Sequence, residues 1–470
     1  MAGRMRPLVP FRRGSALCIV ALLAACSSGG SGGNRTPRLR ASSPSSSRPS
    51  SAGGQSSTDE WPTFHHDAAR TGVGGDGSLG QPRQSWRSTP LDATIYASPL
   101  IVGDRVYLAT EANSVYALDA ANGTVTWRAA LGEPVAGADL PCGNIDPSGI
   151  TGTPVIDVAA QTLFAVAFLR GDHHHELFAL DLTNGHVRFH RPIDPPGLDP
   201  RVEQQRGALT ISGGRVYVAF GGLFGDCGPY KGAVVASALD GSGDLLSYEV
   251  PTAREAGIWA PPGPTVDGNG ALYVATGNSQ STSAFDYGNA VIRLTPDLVV
   301  ADYFADRDWV QLNRGDVDIG SLGPALLSGG RIFVAGKAGT GYLLAADHLG
   351  QVGGEQFSAR VCRGAYGGAA WSDPYVYVPC QDGLVALRVE ANRFVVAWRA
   401  VGKSVGSPIV AGGAVWSVDI GGTMHALDAT SGAERFRAEV GDVTRFATPA
   451  AKGTHVVVAA GASAVAFTLH

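Results

Sequence analysis

An all-β, eight-bladed β-propeller is the fold this sequence predicts, on three observations. Short Val/Ile/Tyr/Phe runs bounded by Gly, Pro, Asn and Asp recur throughout the chain, which is the mark of strands and turns. These runs recur as similar units of roughly 40 to 60 residues, the spacing of repeat architectures. Seven full copies precede an incomplete one, and a separate strand-like segment upstream fits the gap. Seven blades is the fallback if that segment does not close the ring.

The N-terminus reads as an export signal. Arg4, Arg6, Arg12 and Arg13 precede the apolar stretch Ala16 to Ala25, which is too short to span a membrane as a mature helix. It ends in Leu23-Ala24-Ala25-Cys26, which resembles the lipobox of bacterial lipoproteins. That resemblance implies cleavage after residue 25 and a lipid on Cys26, with 1–26 the signal segment. Arg12-Arg13 also resembles a twin-arginine export signal, with a loose match in the residues that follow. Residues 27–59 are Ser, Gly, Pro and Arg with almost no apolar side chain. Such a segment cannot bury enough surface to offset the entropy of ordering and is expected to be a flexible tether. The propeller is expected over 60–470, extracytoplasmic and anchored to the membrane.

Trp61-Pro62-Thr63-Phe64-His65-His66 through Gly72 comes next and is expected to pack on one face of the ring, with His65 and His66 structural. Gln84 to Ser88, with Trp86, is the strand expected to complete the last repeat. The clearest full repeat runs from Ser98-Pro99 through Val106-Tyr107-Leu108 to Ala117-Leu118-Asp119, Gly123 and Trp127. Ala179, Asp181, Gly185 and Phe189 repeat its final pattern, as do Ala426, Asp428, Gly432 and Phe436. Gly supplies positive φ in the turn, Asp caps that turn, and the aromatic fills the seam between blades. Ala447 to Leu469 supplies three strands and no fourth, so pairing with the upstream segment leaves no free edge.

Export also frames the cysteines. Cys142, Cys227, Cys362 and Cys380 remain after Cys18 and Cys26 are set aside. An even number outside the cytoplasm predicts two disulfides, here Cys142–Cys227 across neighbouring repeats and Cys362–Cys380 closing a short loop across adjacent strands. Close C-x-x-C spacing is absent, which argues against zinc. The net charge of −5 gives no basic field for nucleic acid. No G-x-S-x-G, P-loop or H-E-x-x-H motif is present. The triplet His173-His174-His175 reads as a solvated loop, because consecutive strand residues cannot all face one ion.

The Ala-x-Asp-x-x-x-Gly-x-x-x-Trp/Phe pattern resembles the tryptophan-docking motif of the propeller repeats of pyrroloquinoline quinone (PQQ) enzymes, and the likeness runs from Trp61 onward. That resemblance implies a set of site residues. Trp259, in Gly257-Ile258-Trp259, is similar to the tryptophan that stacks on the quinone. Asn278, in Thr276-Gly277-Asn278, is similar to a calcium ligand. Asp316, in Asp316-Val317-Asp318, stands at the general base and beside the calcium, and Lys337 at the quinone-contacting lysine. The calcium-binding glutamate of the second repeat has no clear counterpart; Glu176 stands near its place. The adjacent-cysteine pair and the C-x-x-C-H haem site of related enzymes are absent.

Two functions follow from the resemblance. The leading expectation is a non-catalytic binding or scaffolding module without a cofactor, similar to outer-membrane assembly lipoproteins. Its partner, a protein or cell-wall component, would engage loops such as Phe220 to Lys231 or Ser279 to Gly288. The alternative is a PQQ- and calcium-dependent dehydrogenase of an alcohol or sugar. A third expectation is a polysaccharide-binding module using aromatics of the funnel.

Overall fold

The computed structural model describes residues 59–75 and 78–469. The signal segment with Cys26, and the tether up to residue 58, therefore lie outside the described residues. Eight sheets follow one another around the ring, antiparallel except for one short parallel pairing, of Val300–Ala305 with Gln351–Val352 in the fourth. The first blade is Leu100–Val102, Arg105–Thr110, Ser114–Asp119 and Val125–Ala130. Blades two to seven begin with the strands Val155–Asp157, Thr210–Ser212, Thr265–Val266, Ala325–Leu327, Ala370–Ser372 and Ile409–Ala411. The eighth has Ala450–Lys452, His455–Ala460 and Ser463–Leu469. Its outer strand is Pro82–Arg87, which pairs antiparallel with Ser463–Leu469, Trp86 opposite Ala466. The ring is closed as expected, by the two ends of the propeller sharing one sheet.

The repeat motif explains how one blade holds the next. Trp86 of the eighth blade lies on Gly123 of the first, where an added Cβ would stand 2.5 Å from the indole. Its Nε1–H donates to Ala120 O at 2.8 Å. Trp127 sits in the same way on Gly185, Phe189 on Gly241 and Trp398 on Gly432. Each turn glycine thus has two tasks: φ between +72° and +75° at these four positions, and room for the ring of the preceding blade. Second-strand tyrosines add a polar stitch that the sequence pattern did not reveal. Tyr217 Oη donates to Pro296 O at 2.9 Å, and Tyr273 Oη to Ala346 O at 2.9 Å.

The entry segment goes deeper than a face. Trp61 pairs with Ile101, Ile156 N donates to Pro62 O, and Val410 N donates to Gly72 O. Arg70, 2 % exposed, donates to Thr63, Phe64, Leu209 and Pro264. The partners outside the segment lie in, or just before, the first strands of five blades, so the segment crosses the centre of the ring. His65 is fully buried beside Phe64, with its pKa pushed down to about 3 by burial; it is held neutral, as a structural residue. Both expected disulfides form. Cys362–Cys380 joins the end of blade five to the second strand of blade six, so it links two blades rather than two strands of one sheet.

Candidate functional site

In a propeller, the linkers between blades and the hairpins joining second to third strands emerge on the same face. Here they surround a cavity of about 680 Å³. The linker residues Trp259, Asp316, Asp318, Arg206, Tyr366, Arg445 and Phe446 line it, with the hairpin residues Asn278, Lys337, Phe224 and Asp226. All four residues singled out from the sequence are therefore at one site, although 78 positions separate Trp259 from Lys337.

One wall is acidic and tightly cross-linked. Trp259 Nε1–H donates to Asp318 Oδ2 at 3.1 Å. Gly277 leaves room for the indole, since a Cβ there would stand 3.2 Å from Nε1. Asn278 N donates to Asp318 Oδ1 at 2.9 Å. Lys337 Nζ bridges both carboxylates, 2.6 Å from Asp316 Oδ1 and 3.0 Å from Asp318 Oδ2. The two acids are not equivalent. The Asp318 side chain is 4 % exposed, and burial pushes its carboxyl above the usual range against the pull of Lys337. Asp316 is 64 % exposed toward the cavity and sits at φ 50°, a left-handed conformation uncommon outside glycine. Burial alone would lower Lys337, but Asp318 and Asp316 hold its ammonium above the ordinary lysine range.

The donor set suits a hard cation. The outer atom of the Asn278 amide stands 2.8 Å from Asp318 Oδ1 and 3.2 Å from Asp316 Oδ1. With nitrogen there, the amide donates to both carboxylates. With oxygen there, three oxygens converge beside Lys337, a donor set of the kind a hard cation takes. Glu255 lies on the other side of the same amide, its Oε2 3.4 Å from Asn278 Nδ2. Burial raises its pKa. Glu176 does not line the cavity: it pairs with His174 at 3.0 Å and with His190. His175 pairs with Asp194 at 2.7 Å and stacks on Phe168. Among the described residues, the grouping of three or more metal-donor side chains is Cys362, Cys380 and Asp382, and its sulfurs are in a disulfide.

The opposite wall is basic and aromatic, and sequence reasoning missed it. The Arg206 guanidinium lies 4.9 Å from the Phe446 ring and 5.6 Å from Tyr96. Arg445 lies 5.0 Å from Phe446 and 4.8 Å from Tyr366. Burial lowers Arg206 to about 10. A signal for this wall did exist. Tyr96, Arg206, Tyr366 and Phe446 each stand four residues before the first strand of their blade. The disulfide-linked loops around Cys142 and Cys227 carry Asn144 and Phe224 to the cavity. Phe224 remains 65 % exposed.

Comparison with known proteins bears on the fold. A family described as outer membrane protein assembly factor BamB matches residues 79–303. A polyvinylalcohol dehydrogenase of Sphingopyxis sp. (strain 113P3) is 28 % identical over 246 residues, covering 44 % of this chain and 34 % of that protein. The match thus spans about a third of that curated relative's length. The quinohemoprotein alcohol dehydrogenase of Comamonas testosteroni superposes with TM-score 0.69 at 16 % identity, over 87 % of this chain and 80 % of that one. BamB of Moraxella catarrhalis superposes with TM-score 0.56 at 15 % identity, over 82 % and 97 %. At these identities the superpositions establish the fold alone.

Proposed function

The chain belongs to the PQQ-like β-propeller family, and we propose that its axial pocket is a quinone-cofactor site of a PQQ- and calcium-dependent dehydrogenase acting on an alcohol or sugar. One observation carries this reading: Trp259, Asn278, Asp316 and Lys337, each matched singly to a motif, meet in one cavity. Their polar atoms also bond to one another or to the shared Asp318 rather than serving separate turns. This favours the enzyme over the non-catalytic module that the sequence alone put first.

Asn278, Asp316 and Asp318 would hold the metal, with Glu255 adjacent, and Arg206 and Arg445 offer cations to acidic groups of the cofactor. When bound, the quinone would supply a hydride acceptor and the metal a Lewis acid beside it. The protein supplies the rest. Trp259 offers a flat indole, fixed by its bond to Asp318. Asp316 faces the opening and takes the hydroxyl proton at a carboxylate oxygen. Lys337, 2.6 Å from Oδ1, keeps that carboxylate aimed. Cys26 would tether the domain to a membrane, outside the cytoplasm. Among the described residues no helix is long and apolar enough to cross one.

The test is Asp316→Asn. Saturable, calcium-dependent PQQ binding, followed by tryptophan quenching, is expected to persist, while dye reduction falls by on the order of 10²- to 10⁴-fold. Full turnover in the variant removes Asp316 as base; absence of binding in the unmodified protein removes the dehydrogenase. The missing second-repeat glutamate keeps the binding-module reading as the second one, with the mouth loop around Phe224 as its partner surface.

A further inference from the structure

A pair of buried asparagines holds the acidic wall together. Asn289 is fully buried and Asn313 is 6 % exposed. Asn289 Nδ2 donates to Asn313 Oδ1 at 2.9 Å. Asn289 Oδ1 accepts from Ile319 N at 2.7 Å, the residue after Asp318. Its own backbone N donates to Gly277 O at 2.7 Å, the residue before Asn278. Asn313, three residues before Asp316, donates from Nδ2 to Ser279 Oγ at 3.0 Å and to Ser281 O at 2.8 Å. Its Oδ1 also accepts from Ser279 N at 3.2 Å. The two side chains therefore bind the segment carrying Asp316 and Asp318 at both ends, and fasten it to the loop carrying Asn278.

We infer that Asn289, acting with Asn313, is a positioning residue for the oxygen cluster of Asn278, Asp316 and Asp318, setting its spacing for a cation. The inference rests on the proposed metal and quinone site. An amide is suited to the task because one side chain both donates and accepts, so it can join two backbone segments that have no strand pairing between them. Asparagine also tolerates the left-handed backbone found here, φ 52°. Neither residue lines the cavity; they act through the residues they hold, as the outer partners of metal ligands do.

The repeat supplies its own control. Asn113 occupies the equivalent place in the first blade: it is fully buried, has φ 54°, and directly precedes the third strand. Its Nδ2 donates to Phe168 O at 2.8 Å, away from the cavity. Asn289→Ala and Asn113→Ala therefore remove the same side chain from the same repeat position, one beside the site and one remote from it.

The experiment measures terbium(III) affinity by tryptophan-sensitised emission, with calcium as competitor, on the full chain and on both variants. Asn289→Ala should weaken terbium and calcium binding by about 10- to 100-fold. Asn113→Ala should stay within about twofold while lowering the melting temperature similarly. Should Asn289→Ala prove unfolded, Asn313→Ala is measured instead, with the same expectation. Unchanged affinity in a folded Asn289 or Asn313 variant overturns the inference while leaving the site standing. Equal loss in Asn113→Ala overturns it too, by reducing the effect to repeat stability. No binding by the unmodified chain overturns the site itself, and the inference falls with it.

Discussion

Trp259 and Asp318, 59 positions apart, are joined by a 3.1 Å hydrogen bond from the indole Nε1–H to Oδ2. The bond orients the ring proposed to meet the quinone and gives a buried carboxylate one of its few donors. Trp259→Phe keeps an aromatic face but removes that donor. The expected cost is about 1–3 kcal/mol in unfolding free energy, the usual penalty for a buried group left unsatisfied. Urea titration measures it; a loss below about 0.5 kcal/mol would mean that Asp318 does not depend on this bond.

Among the described residues, Lys337 is the one cation bonded to both Asp316 and Asp318. Lys337→Met should destabilise the protein by on the order of 2–3 kcal/mol, below the full cost of breaking a buried pair because Lys337 itself is 21 % exposed. Calcium should restore part of the lost melting temperature in the variant, because a second cation can take over the charge. A variant that melts like the unmodified chain and ignores calcium would contradict the charge balance described for this wall.

Glu111 is buried, accepts from Gly149 N at 2.6 Å and Thr151 Oγ1 at 3.2 Å through one oxygen, and has its pKa raised to about 7 by burial. Its folded pKa lies above the ordinary glutamate value, so the native state holds the proton longer than the unfolded one. No penalty exists below about pH 4.5; stability then falls as pH rises, and the loss is complete above about 7. Glu111→Gln removes this dependence. Relative to the unmodified chain, the variant should gain on the order of 3 kcal/mol between pH 4 and pH 8. Chemical denaturation across that range decides it, and parallel profiles would mean that Glu111 ionises freely. Any pH-independent cost of the buried amide cancels in this comparison.

Gly123→Ala attacks ring closure. The added methyl would press on Trp86, and φ 74° disfavours any side chain. Loss of about 1–3 kcal/mol is expected from crowding together with the backbone cost. Trp86 fluorescence should shift to the red as the seam opens to water. An unshifted spectrum with normal stability would show that the two ends of the ring do not depend on this contact.

How much of this was legible before folding depends on the range of the interactions. Strand runs, turn glycines and seam aromatics are local patterns repeated along the chain, so the eight blades and the closing role of Trp86 could be read directly. Trp259, Asn278, Asp316 and Lys337 were legible because each sits in a short motif. Arg206 and Arg445 carry no such motif, and 239 positions separate them. Only closure of the ring sets both beside Phe446, in linkers that the blades bring to one face. The same holds for Asn289 and Asn313, whose value lies in which backbone atoms they reach. The repeats therefore determined the propeller and named half of its pocket. The ring's geometry decided the other half, because linkers far apart in sequence become neighbours only around a common axis.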